Sequence, residues 1–120
     1  MKFQARESIK EDFGWRHPYV MVDDQTGEEL EDKVITLLSY GGGKTMELAS
    51  APDWDTEEGE SIYRDFIAFL RDEGKAEALT VTRLEDLGAY LRFLEHIGFE
   101  EINHDLSGWY PTIDMGLVLK

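Results

Sequence analysis

The chain has 120 residues, no cysteine, and a formal net charge of −14 from 12 basic and 26 acidic side chains. That length predicts one domain, residues 1–120, with a small hydrophobic core, and the missing cysteines exclude a disulfide scaffold, a zinc–cysteine site, an iron–sulfur cluster and a cysteine nucleophile. The charge sets the molecule against nucleic acid and anionic membranes and favours a basic protein partner.

Residues 1–16 mix charges with Phe3, Ile9, Phe13 and Trp15 and give no firm element. Their charge excludes a signal peptide, no apolar run reaches the length of a membrane span, and a cytoplasmic protein is the expectation. "HPYVMVDD" (17–24) predicts a strand from Tyr19 to an acidic turn, and the β-branched "KVITLLSY" (33–40) predicts a second. Thr45–Ala49 alternates and ends before Pro52, so "YGGGKTMEL" (40–48) reads as strand, turn, strand. A phosphate loop of the Walker type would need a first glycine at residue 38, which is Leu38, and a helix after Thr45. The glycines therefore predict the positive φ angles of a hairpin.

Asp55 and Glu58 have the spacing of a capping box. Ile62, Phe66, Phe69 and Leu70 follow on one helical face, widened by Tyr63 and Ile67, and Gly74 stands where a left-handed cap ends a helix. "EALTVT" (77–82) predicts a strand, with Thr82 and Glu85 as a second capping box. Leu84, Leu87, Leu91 and Leu94 then recur at helical spacing up to Gly98. "EEINHDL" and "TIDMGLVL" predict two closing strands. The order β-β-β-α-β-α-β-β implies an α+β domain: a mixed twisted sheet of about six strands, parallel at its centre, with two main helices.

That order, and the stretch "FLRDEGKAEALTVTRLEDLGAYLRFLEHIGFEEI" (69–102) with its Gly98-Phe99 pair, resemble the GNAT superfamily of acetyltransferases. "GWYPTIDMGLVLK" looks like the family's closing strand. "RFLEHIGF" is similar to small GNAT-like proteins of bacteriophages, which often carry leucine where this chain has Leu94. The resemblance spans residues 33–120 and implies a GNAT-like fold. It also implies acetyl-CoA binding through a glycine-rich turn, Q/R-x-x-G-x-G/A, whose N–H groups hold the pyrophosphate at a helix start. The matching place is "DWDTEEGES" (53–61). It keeps Gly59 and Ser61 as cofactor-binding candidates but lacks the arginine or glutamine, and Asp53, Asp55, Glu57, Glu58 and Glu60 crowd it. The family's general acid, a tyrosine, falls at Leu94; Tyr90, one turn earlier, is the replacement candidate.

These departures favour a non-catalytic GNAT-like binding protein, phage- or mobile-element-encoded on the strength of the Leu94 resemblance. It needs no cofactor. It presents Trp54, Asp53, Asp55, Glu57, Glu58 and Glu60 to a basic, nucleic-acid-handling protein and makes no direct contact with nucleic acid or membrane. The alternative is an acetyl-CoA-dependent N-acetyltransferase acting on an amine of a cationic substrate. No metal is expected. His17, His96 and His104 show no ligand spacing, although Asp105 and Asp114 could approach His104 across the last hairpin. Ser61 and Ser107 lack a nucleophile context, and Trp109 and Tyr110 join Trp54 as loop aromatics of the kind that anchor interfaces. An exposed edge strand offers a route to a dimer.

Overall fold

The computed structural model describes residues 2–40, 44–51, 54–84, 88–105 and 111–119. In chain order the elements are β1 (Lys2–Ala5), β2 (Ile9–Lys10), β3 (Gly14–Val22), β4 (Glu29–Tyr40), β5 (Thr45–Ser50), α1 (Glu57–Glu73), β6 (Ala78–Leu84), α2 (Gly88–His96), β7 (Glu100–Asp105) and β8 (Thr112–Val118). The strands form one mixed sheet in the order β1-β3-β4-β5-β6-β8-β7, with β2 also paired to β3. The α+β architecture with two helices is as expected, but the sheet has eight strands, not about six. The two additions come from residues 1–16. β1 is four residues long and is held by distant pairs from Lys2↔Val22 to Ala5↔Tyr19, so nothing local marks it as a strand.

Two strands begin earlier than their apolar pattern suggests. β3 starts at Gly14, where a Cβ would lie 2.1 Å from the Ser39 carbonyl oxygen. β4 starts at Glu29, and its acidic first turn of pairing is tied down by Arg6, which reaches Glu29 at 3.1 Å and Glu31 at 2.7 Å. Between Val20↔Val34 and Met21↔Leu30 the register breaks, which accommodates the charged residues 31–33. β4 and β5 pair antiparallel as a hairpin, with Ser39 opposite Met46. The three glycines of the predicted turn lie outside the described residues.

Both predicted capping boxes are replaced. At α1 the cap is Thr56, in an extended conformation, whose Oγ1 accepts the Gly59 N–H at 2.9 Å. Asp55 sits one residue too early for that geometry. Thr82 caps nothing: it lies within β6 and donates to Asp114 Oδ1 at 2.6 Å, and α2 starts only at Gly88. Leu84 likewise belongs to β6, because antiparallel pairing with β8 extends to Leu84↔Thr112 and overrides the helical spacing of the leucines. Glu85 and Leu87 lie outside the described residues. The ends match expectation: Gly74 is left-handed (φ 73°) with its N–H on the Leu70 carbonyl, and Gly98 has φ 112°.

Every second residue of the central strands faces one core. Tyr19, Ile35, Leu37, Leu48, Leu79, Val81, Met115 and Leu117 are buried there against Ile62, Tyr63, Phe66 and Leu70 of α1 and Leu91 and Leu94 of α2. Rings knit the N-terminal end, where Phe3 packs edge-on at 5.2 Å from Phe66 and 5.6 Å from Phe69. Such pairs add about 0.5–1.5 kcal/mol each beyond their burial. This packing fixes α1 across the sheet and sets its N-terminus beside the ends of β5 and β6.

Candidate functional site

β5 and β6 are parallel neighbours that part company. They pair only at Thr45↔Ala78, Met46↔Leu79 and Glu47↔Thr80. Beyond Leu48, β5 shifts register against β4: Leu37 faces Leu48, Thr36 faces Ser50, and Ala49 is the extra residue of a bulge. A bulge bends its strand and increases the local twist, while β6 continues along β8. A cleft of 390 Å³ opens between them, lined by Ser50, Ala51, Trp54, Tyr63, Arg83, Ala89 and Tyr90. It lies at the carboxyl ends of parallel strands, the usual place for ligands in such sheets.

Two phenols meet in this cleft. Tyr63 of α1 and Tyr90 of α2 are both buried, with their hydroxyl oxygens 3.1 Å apart. Burial, reinforced by Tyr90, pushes the Tyr63 phenol above its ordinary range. Tyr63 therefore keeps its proton at neutral pH and can donate it to Tyr90 Oη. The Arg83 guanidinium carbon lies 5.4 Å from the Tyr90 ring centre, and its Nη1 donates to the Thr82 carbonyl at 2.8 Å. The arrangement is a proton-bearing oxygen supported by a neutral donor and a nearby cation.

Trp54 closes one side. Its ring centre is 5.4 Å from that of Tyr90 and 5.4 Å from that of Phe93, and Phe93 stands perpendicular to Tyr63 at 5.1 Å. On its other side a groove of 600 Å³ runs along the first turn of α1, lined by Trp54, Asp55, Thr56, Glu57, Glu60, Ser61 and Phe93. Two of the crowded carboxylates have cations: Lys33 reaches Glu58 at 3.7 Å, and Glu60 meets Arg64 at 3.5 Å and His96 Nε2 at 2.9 Å.

The residues singled out from the sequence are distributed unevenly. Tyr90 lines the cleft, whereas Leu94 is fully buried in the core. Gly59 is buried and its N–H is already taken by Thr56, while Ser61 is exposed at the groove. Glu57, Glu58 and Glu60 lie in the first turn of α1, and Asp55 precedes its cap. Trp54 is not an aromatic standing free among them, because α2 half-buries it. Asp53, Ser107, Trp109 and Tyr110 lie outside the described residues. Sequence reading placed Tyr63 only on a core stripe and gave no role to Arg83; nothing local announces that β6 carries Arg83 over an α2 ring.

The histidines stay apart. His17 bridges Ser8 and Ser39, each at 2.8 Å, and His104 Nδ1 lies 3.8 Å from Glu101. Asp114 is opposite Asn103 and bonds Thr82 and Asn103. Among the described residues no group of His, Asp and Glu could hold a metal ion, and no helix is long and apolar enough to cross a membrane.

No family model matches the chain, and no curated protein matches it by sequence. Solved structures do match in shape. A chimera of the spermidine N-acetyltransferase SpeG from Vibrio cholerae with hSSAT superposes with a TM-score of 0.66 at 12% identity, over 87% of this chain and 68% of that one. SpeG from Vibrio cholerae in complex with CoA and spermine gives 0.64 at 11%, over 87% and 66%. A GNAT-family acetyltransferase from Bacillus anthracis gives 0.63 at 12%, over 85% and 66%. The chain thus spans about two thirds of the length of these structures, and its fold is that of the GNAT acetyltransferases.

Proposed function

We propose that this chain is an N-acyltransferase that moves an acyl group from a thioester to an amine of a cationic substrate. The observation that carries this reading is the cleft where β5 and β6 separate, with Tyr90 Oη held inside it by Tyr63. A general acid needs a proton placed at the reacting atoms and a means of bearing the charge left behind. The neutral amine nitrogen attacks the thioester carbonyl carbon. The C–S bond breaks as Tyr90 gives its proton to the departing sulfur, with Tyr63 donating to Tyr90 Oη and Arg83 facing the developing charge. The proton released from the acylated nitrogen restores Tyr90. The overall charge of −14 favours a cationic acceptor. Solved structures of this fold include a spermidine N-acetyltransferase in complex with spermine, which supports an oligoamine as the first acceptor to try.

Acetyl-CoA, the donor that the resemblance implies, supplies an acyl group on a sulfur leaving group. Its fit differs along its length. The cleft volume and its Ser50, Tyr63, Arg83 and Tyr90 lining suit the acyl-bearing arm. The first turn of α1 does not suit a diphosphate, because Thr56 occupies the Gly59 N–H and Asp55, Glu57, Glu58 and Glu60 repel anions. The test is incubation with acetyl-CoA and spermidine, with the acetylamide read by mass spectrometry. Product formed by the native chain and lost in Tyr90→Phe is expected. No product from acetyl-CoA or from a short acyl thioester, together with no calorimetric binding of either at millimolar concentration, overturns the reading.

The acidic turn favours a second reading: a non-catalytic domain, of the phage-encoded kind, that engages a basic protein surface through Trp54, Asp55, Glu57, Glu58 and Glu60. A lysine- and arginine-rich peptide should then bind the native chain and lose binding in the Glu57→Lys, Glu58→Lys, Trp54→Ala variant with its fold intact. Unchanged binding would remove that face from consideration.

A further inference from the structure

The cleft and the acidic groove share a single wall. Among the described residues that line them, Trp54 alone borders both. Its indole packs at a tilt against the rings of Tyr90 and Phe93, each centre 5.4 Å away. The cleft it closes, at 390 Å³, is near the lower end of ligand-pocket sizes, which run from about 300 to 1,000 Å³. A ligand that outgrows the cleft on this side must pass the indole and then meets Asp55, Glu57 and Glu60. An anionic extension is repelled there by the carboxylates of Asp55, Glu57 and Glu60 that line the groove.

We propose that Trp54 ends the donor site, so that the cleft takes a short, uncharged acyl thioester and discriminates against donors that carry an anionic extension. This rests on the acyltransferase reading above and adds the donor class to it. Removing the indole joins cleft and groove into one longer channel. The long donor then gains room while the short one loses an aromatic wall, so the ratio of their affinities is the diagnostic quantity.

The experiment is calorimetry of the native chain, Trp54→Phe and Trp54→Ala with two probes: S-acetyl-N-acetylcysteamine, which is short and neutral, and acetyl-CoA. Circular dichroism reports the fold of each variant. The native chain is expected to bind the short thioester at least as tightly as acetyl-CoA. In Trp54→Ala the ratio should move toward acetyl-CoA by about ten-fold, with Trp54→Phe in between. A native chain that prefers acetyl-CoA, or a ratio equal in all three proteins, overturns the assignment of Trp54 while leaving an acyl-thioester cleft standing. If neither probe binds any of the three, the acyltransferase reading falls and this inference with it.

Discussion

The two cavities on either side of Trp54 are neighbours with opposite chemistry. The cleft between β5 and β6 is aromatic, carries two phenol hydroxyls 3.1 Å apart and, among the described residues, is lined by the cation Arg83. The groove along the first turn of α1 is lined by the carboxylates of Asp55, Glu57 and Glu60 together with Trp54, Thr56, Ser61 and Phe93. A helix N-terminus ordinarily attracts anions through its free N–H groups and dipole. Here the dipole is answered internally, by Glu57, Glu58 and Glu60 in the first turn and by the Thr56 cap. The lesson is that one fold can set a cleft with two buried phenols beside a helix start crowded with carboxylates.

The comparison is most sharply tested at Tyr90. Tyr90→Phe removes one hydroxyl from the cleft and touches nothing in the groove. If Tyr90 is the acid, acyl transfer should fall by about a hundred-fold or more, measured as product per unit time at saturating donor, with acetyl-CoA binding little changed. Retained activity would move the acid elsewhere. Next comes the groove. Glu57→Gln, Glu58→Gln and Glu60→Gln together should tighten acetyl-CoA binding by about ten-fold at low ionic strength. The gain should shrink as salt rises, and calorimetry at two salt concentrations reads both. No change would mean that the carboxylates do not face the donor.

A smaller effect separates helix stability from site chemistry. Thr56→Ala frees the Gly59 N–H and should cost about 1 kcal/mol of stability by urea unfolding. The cleft should be untouched and acetyl-CoA binding no weaker. A control far from both cavities is His17, between Ser8 and Ser39. Burial and then Lys75 hold its imidazole below the free value of 6.5, with Glu73 opposing. Its folded form is therefore the poorer proton binder. The stability it contributes is present above pH 6.5 and is lost as pH falls from there through the lower folded value. His17→Gln should flatten the pH dependence of unfolding there without altering either cavity. An unchanged slope would assign it to another group.

Much of the fold was legible because its signals are local. The face of α1 from Ile62 to Leu70, the stop at Gly74, the helix that ends before Gly98-Phe99 and the closing hairpin depend on spacings of a few residues. Elsewhere a distant partner overrides the local signal. The leucine at 84 keeps helical spacing with Leu91 but is drawn into β6 by Thr112 across the sheet. Asp55 and Glu58 have capping spacing, yet packing of the α1 face sets the helix start so that Thr56 holds the cap. β1 exists because Val22 and its neighbours offer an edge.

The site divides along the same line. Composition alone establishes a strongly acidic chain without cysteine chemistry, and the sequence places a cluster of carboxylates at one helix start. Tertiary structure alone decided what adjoins that start. The Ala49 bulge separates β5 from β6, α2 brings Tyr90 to Tyr63 and leaves Leu94 in the core, and Trp54 packs on α2 between the cleft and the carboxylates. Charge and periodicity are properties of neighbours in sequence; a cleft is made by residues brought together from β5, α1, β6 and α2.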